Sequence, residues 1–358
     1  MEENNYLDLA LILSWPDATI RGDEKWMMFL KKLGIVKNLN FKVGHTGVVL
    51  ICRHTGEMSY YDFGRYISPR GYGRARSKNS DPRLRISMKA DFDNQGQLSN
   101  LVEICHYFET MKPAMQGYGD LYLGLARNIS LTEAKKYADR LVEEGSSPYG
   151  AVASDNNNCS RFITRLLLKS SKKYHFFHSI NFPETIKASP LSNIVNAGKD
   201  RMLYSFNPAQ GLRYFKMNRW QSIGFLAKKL RDNFYSQQAK ELPEDLTIGE
   251  MNLRFKPQNI PDHAQYLGGV GEGAWFEINK LAANILQIKR YTPQGELEYC
   301  VKGHTLEDLT HCSTLQITYD SHLLYTHLLV DGRKIKVTHL EQPASQSVNN
   351  NLPTALYA

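Results

Sequence analysis

Two short strand-like runs joined by a four-residue turn constrain this chain more than any other feature. Gly47 to Cys52 is apolar and rich in Val and Ile, Arg53-His54-Thr55-Gly56 has turn chemistry, and Glu57 to Phe63 returns. This pattern predicts a β-hairpin. A four-residue turn pairs Cys52 with Glu57 and places His45 opposite Gly64. Asp62 is two residues off that pair but on the same face, because strand side chains alternate with period two. A diagonal separation of about 7–8 Å between α-carbons lets an aspartate reach a histidine ring. Such a bond would fix the imidazole tautomer and favour the imidazolium. In a shifted register Asp62 is no more than a strand-edge charge.

The chain has 358 residues, which suggests about two domains at about 150 residues each. Its hydrophobic fraction of 42% and charged fraction of 22% exclude an intrinsically disordered protein. No apolar run reaches the roughly 18 residues that span a bilayer. Leu7 to Leu13 reads as a buried strand, ended by Ser14-Trp15-Pro16-Asp17, and a helix follows from about Asp23 through Leu33. Leu98 to Met111 and Ser130 to Glu144 read as helices. Ser130 to Glu133 is a capping box, and Gly145 is a stop. Trp220 to roughly Gln238 reads as an amphipathic helix. From about Gly271 to Val337 short alternating runs, with turns at Pro293-Gln294-Gly295 and Asp331-Gly332, predict a small antiparallel β domain. The glycines at 269, 271 and 273 precede a strand, whereas a dinucleotide fingerprint follows one, so that motif is rejected. The last residues, Glu341 to Ala358, are expected to fray.

The five cysteines (Cys52, Cys105, Cys159, Cys300, Cys312) have no CxxC spacing, which argues against a zinc ribbon or a disulfide framework. Most read as small buried apolar groups. Cys159 differs. It follows the polar run Ser154-Asp155-Asn156-Asn157-Asn158 and opens a helix to about Lys169 whose buried face is Phe162, Ile163, Leu166 and Leu167. A helix N-terminus stabilises a thiolate and offers amides to an oxyanion, although a cysteine there is often structural. His45, at the mouth of an apolar strand, is the proton acceptor such a thiol needs, or else a satisfied surface histidine. Trp15 and Asp17 either line the same cleft or are a packed Trp and a helix-entry Asp.

The formal net charge is +8, and Arg65, Arg70, Arg74, Arg76, Lys78, Arg83, Arg85 and Lys89 cluster in one segment with Tyr66 and Tyr72. Three readings stand: a solvated loop, a phosphate-backbone contact, or arginines that steer an anionic substrate. No nucleic-acid-binding motif accompanies the charge, so nucleic acid is not expected as a partner.

The residues Gly44-His45-Thr46-Gly47-Val48-Val49, Tyr61-Asp62 and Asn158-Cys159-Ser160-Arg161-Phe162-Ile163 together resemble the circularly permuted NlpC-like papain-fold enzymes, a clan that includes lecithin:retinol acyltransferase relatives. The resemblance covers roughly the first half of the chain. It implies an α+β fold, with a papain-like core of antiparallel sheet plus helices. It also implies Cys159 as nucleophile, His45 as base and Asp62 as orienting residue; Tyr61 and Asn158, which carry part of the match, join Trp15 and Asp17 as candidate substrate-binding residues. The acyltransferase branch has a second histidine where Asp62 stands, and residues 65 to 150 are longer than that core needs. The expected organisation is a catalytic domain over 1–200, a helical connector over 201–261, a small β domain over 262–340 and a flexible tail over 341–358. The expected activity is amide or ester hydrolysis, with cell-wall peptide fragments as a candidate substrate and no metal or organic cofactor. The alternative is a non-catalytic binder on the same fold that uses segment 65–89 for an anionic ligand or nucleic acid. The N-terminus lacks the pattern of a secretory signal, so a cytoplasmic location, a trimmed chain or a dedicated secretion route is expected.

Overall fold

The computed structural model describes residues 6–21, 25–150, 155–172, 189–198, 201–231, 235–240, 242, 256–269 and 273–341. The fold is α+β, built on two antiparallel sheets. The first has eight strands: β1 (Asp8–Trp15), β4 (His45–Ile51), β5 (Met58–Gly64), β6 (Tyr72–Ser77), β7 (Leu121–Ile129), β8 (Ser146–Pro148), β9 (Met202–Asn207) and β10 (Gly211–Lys216). Their spatial order is β10-β9-β7-β1-β4-β5-β6-β8. Two further short strands, β2 (Ile20–Arg21) and β3 (Asn40–Phe41), pair with each other and flank α1 (Lys25–Lys32) in the chain.

β1 is apolar at nearly every position because it lies inside the sheet and is buried on both faces. Leu9, Leu11, Leu13 and Trp15 join one core, against α2 (Leu101–Met111). Ala10 and Ile12 join the other, against α3 (Leu131–Glu144), α4 (Cys159–Ser170) and α5 (Pro190–Ala197). The layers are therefore helix, sheet, helices. The extra length between residues 65 and 150 supplies β6, α2, β7 and α3, including the whole second helical layer. α3 starts at Ser130, whose side chain accepts from the Glu133 amide at 3.4 Å, and ends at Gly145, where φ is 78°.

The β4–β5 hairpin pairs Ile51 with Met58 and Gly47 with Asp62, the register predicted from the turn length. The segment expected to be a helical connector opens differently. Residues 202–216 form the β9–β10 hairpin on the edge of the first sheet, where Leu203 and Phe206 are fully buried. Only then does α6 (Arg219–Arg231) follow. The alternation of Met202-Leu203-Tyr204-Ser205-Phe206 is irregular, so the strand is fixed by its pairing with β7 and not by its own pattern.

The second sheet holds β11 (Gln265–Gly268), β12 (Gly273–Ala282), β13 (Ile285–Tyr291), β14 (Leu297–His304), β15 (Gln316–Ile317), β16 (Tyr325–Val330) and β17 (Arg333–His339), in the order β11-β12-β13-β14-β17-β16-β15. The predicted turns are present, and Asp331 and Gly332 both have positive φ, as a tight hairpin requires. Ile67 of the first unit packs into this sheet's core, and the Leu323 amide donates to the Ser80 carbonyl at 3.2 Å. Glycine 271 and the stretch 342–358, expected to fray, lie outside the described residues. No described helix is long and apolar enough to cross a membrane.

Gly47 generates a stability prediction. A Cβ there would lie 2.5 Å from the Tyr60 hydroxyl and 2.6 Å from a ring carbon, and Tyr60 is 1% exposed, so its ring cannot swing away. Gly47→Ala is expected to cost about 1–3 kcal/mol in urea unfolding. An unchanged midpoint would mean the ring moves freely.

Candidate active site

The hairpin register and its neighbours place a row of polar side chains on the α2 side of the first sheet. Trp15 pairs with His45 across β1–β4, Gly47 with Asp62 across β4–β5, and Asp62 with Arg76 across β5–β6. The His45 Nε2 lies 3.4 Å from the Asp62 Oδ2, an approach too oblique for a full hydrogen bond. Hydrogen bonds of this kind are often loose before substrate binds. Behind the histidine, the Trp15 ring is stacked at 6.4 Å with 12° between planes.

Asp62 is fully buried, and its charge is held from three sides. The Arg76 guanidinium donates to both oxygens, from Nη2 to Oδ2 at 2.7 Å and from Nε to Oδ1 at 3.2 Å. The Tyr60 hydroxyl donates to Oδ2 at 3.0 Å. Arg76 also donates to the Asp81 carboxylate at 3.4 Å and the Ala114 carbonyl at 3.1 Å, and it lies 3.7 Å above the Tyr66 ring. Burial alone would push the Asp62 carboxyl up, but the Arg76 charge and the His45 contact hold it well below the usual carboxylate range. Burial would likewise push the His45 imidazolium down. Asp62 and then Cys159 outweigh it and raise His45 to about 9.

Cys159 reaches the row from the other layer. Asn158 caps α4, its side-chain Oδ1 accepting from the Arg161 amide at 2.8 Å and its side-chain Nδ2 donating to the Gly150 carbonyl at 3.4 Å. The first turn is anchored by Phe162, packed between Phe63 and Tyr137 at 6.1 and 5.9 Å. Asn193 of α5 donates to the Ser160 carbonyl at 2.8 Å. Phe63 lies at the end of β5 beside the start of β4, so the helix begins where His45 stands. After Asp62, Cys159 is the group that most favours the charged form of the His45 ring. With His45 1% and Cys159 8% exposed, contact of the pair with solvent is essentially confined to the cysteine.

The structure thus brings Cys159, His45, Asp62 and Trp15 together. Asn158 serves as the helix cap beside them. Asp17 is turned to Lys229 of α6, with which it forms an ion pair. Tyr61 points to the opposite face from Asp62, where its hydroxyl donates to Asp139 of α3 at 2.9 Å. Neighbours along a strand cannot share a face. The basic segment is corrected. Arg74 and Arg76 are 4% and 5% exposed and are committed to internal partners, so neither belongs to a solvated loop. Arg76 and Tyr60 are the site residues that sequence reasoning missed. Tyr60 could have been found from its position two residues before Asp62. Among the described residues no group of three or more His, Cys, Asp or Glu side chains could hold a metal.

Two predictions follow from the electrostatics. His45 holds its proton more tightly folded than unfolded, so its contribution to stability is complete below about pH 6.5 and fades as pH rises through about 9. Asp62 does the reverse, contributing above about pH 3.8 and losing that contribution in acid. The His45 ring, followed by NMR, is expected to titrate near 9 in the wild type. In Asp62→Asn it should fall steeply, because burial then acts with less opposition; a wild-type midpoint near 6.5 would contradict the coupling. Arg76→Met leaves Asp62 buried without its main counter-charge and is expected to cost about 3–5 kcal/mol in urea unfolding.

Comparisons with known proteins bear on this half of the chain. Residues 10–176, which contain Cys159, His45 and Asp62, match the profile of a family described as type VI secretion system effector TseH-like. Residues 264–340 match the DUF6695 C-terminal domain. No curated protein matches the chain. Among solved structures, the crystal structure of the type VI secretion system effector TseH is similar at a TM-score of 0.40 and 17% identity, covering 59% of this chain and 99% of that one.

Proposed function

We propose that the chain is a cysteine-dependent amide hydrolase in which Cys159 is the nucleophile, His45 the base and acid, and Asp62 the residue that orients His45. The observation that carries this reading is the His45 ring beside the buried Asp62 carboxylate and under the influence of Cys159, with a pKa raised to about 9. A histidine near a thiol is the general base that activates a cysteine nucleophile. The match of residues 10–176 to a TseH-like effector profile supports the assignment and suggests delivery by a type VI secretion route.

The proposed chemistry starts with attack of the thiolate on an amide carbonyl, forming a carbon–sulfur bond. Amides of the first turn of α4 can donate to the oxyanion. His45 then gives its proton to the departing amine as the carbon–nitrogen bond breaks, leaving a thioester. In the second half His45 takes a proton from water, which attacks the thioester and releases the acid and the Cys159 sulfur. Asp62 remains ionised throughout, because Arg76 holds its charge. Cell-wall peptide fragments are the substrate class we favour, by the resemblance to NlpC-like enzymes.

The test is reactivity followed by turnover. Limited iodoacetamide at about pH 6, where an ordinary thiol is almost wholly protonated, should alkylate Cys159 before the exposed Cys300, with mass spectrometry locating the adduct. First labelling of Cys300 would contradict an activated thiol. With peptide amides as substrate, Cys159→Ser and His45→Ala should each abolish turnover. Asp62→Asn should be about one to two orders of magnitude less damaging than loss of the nucleophile. Wild-type turnover in Cys159→Ser would overturn the assignment.

A further inference from the structure

A cavity of about 50 Å³ lies where the first sheet meets the second, apart from the Cys159–His45 pair. A water needs about 10–15 Å³ by such a measure, so the space takes a few waters or one small oxyanion. Four guanidinium groups line it: Arg74 and Arg76 from β6, Arg83 just beyond, and Arg290 from β13. The carboxylate on its wall is Asp81, already engaged by Arg76 at 3.4 Å and Arg83 at 2.7 Å, and Arg290 is ion-paired through Nε with Glu298 at 2.7 Å.

His322 adds an unmet donor. Its Nδ1 lies 2.6 Å from the Arg74 Nη2, and because a guanidinium only donates, Nδ1 accepts. Burial and the neighbouring Arg74 charge push the His322 imidazolium well below its ordinary range, so the ring is neutral. Its proton therefore sits on Nε2. That Nε2–H, on a residue only 9% exposed that lines the cavity, has no acceptor in the described structure. Arg83, with its side chain 47% exposed, stands at the open side.

We propose that this crevice is an anion site that takes a phosphate group, bound by the His322 Nε2–H and the Arg83 and Arg290 guanidiniums, with Arg74 adding positive charge on the same wall. The donors come from three separate elements, which suits the three terminal oxygens of a phosphate better than the two coplanar oxygens of a carboxylate. Guanidinium forks match phosphate geometry. Because the walls belong to both sheets, a bound phosphate ties the two units together and stabilises the fold by linkage. The site is separate from the proposed hydrolase chemistry and is read by binding alone.

The test is calorimetric titration of the full chain with inorganic phosphate and, separately, methyl phosphate, at pH 7.5 and constant ionic strength in chloride. Saturable one-to-one binding of either supports a phosphate site, and the tighter of the two names the form it takes. Arg83→Gln and Arg290→Gln should each weaken binding tenfold or more. Arg83 is half exposed, so its variant keeps the fold, as circular dichroism will check. Lys78→Gln, an exposed cation outside the crevice, should bind as wild type. Heats no greater than the chloride control, unchanged affinity in both arginine variants, equal loss in Lys78→Gln, or acetate binding as tightly as phosphate would each overturn the proposal.

Discussion

The buried ion pair between Asp62 and Arg76 is the interaction on which the candidate site depends. Taking two charges out of water costs several kcal/mol per ion, and attraction repays that only when geometry and extra hydrogen bonds are good. Here both Asp62 oxygens accept from the guanidinium, the Tyr60 hydroxyl adds a third bond, and Arg76 reaches Asp81, the Ala114 carbonyl and the Tyr66 face. An exposed pair of the same kind would be worth no more than about 1 kcal/mol and would hold nothing in place. This one locks the β5–β6 register, because the two residues are direct cross-strand partners. It also leaves a negative charge that cannot escape by protonation, and that charge keeps the neighbouring His45 cationic.

The same strand ties the site to the second sheet. Arg74 and Arg76 are two residues apart on β6 and so share a face. Arg76 turns to Asp62, whereas Arg74 donates to the carbonyls of Ile67, Tyr319 and Ser321 and to His322. Gly145, at the end of α3, allows a matching approach on the other side, since a Cβ there would lie 2.7 Å from the Asp320 carboxylate. The C-terminal sheet is therefore braced against the strand that carries the orienting arginine, and loosening that brace would be felt at Asp62.

What could be read in the sequence was whatever local spacing determines. The hairpin register followed from a four-residue turn, and with it the reach of Asp62 to His45. The cap of α3 at Ser130 and the opening of α4 at Cys159 followed from residues within one helical turn. The burial of β6 could not be read that way. Tyr-Gly-Arg-Ala-Arg-Ser looks solvated because its charges are satisfied by partners 14 and about 245 residues away. Charged groups are buried only when paired, and composition does not reveal a distant pair. Tyr61, part of the resemblance, is sent by the strand period to the α3 side.

The two halves of the candidate site belong to different cores. Trp15 and Tyr60, flanking His45 and Asp62, pack with the α2 layer, while Phe162, which seats the first turn of α4, packs with the α3–α5 layer. They meet only at the end of the sheet, where β4 starts and β5 finishes. A sulfur carried by one layer and an imidazole carried by the other act on one another only while both layers hold their packing. The long segment between residues 65 and 150 then has a physical reason to exist. By supplying α2 it closes the core behind the histidine, excludes water from the Asp62–Arg76 pair, and so maintains the low dielectric that makes this charge row strong.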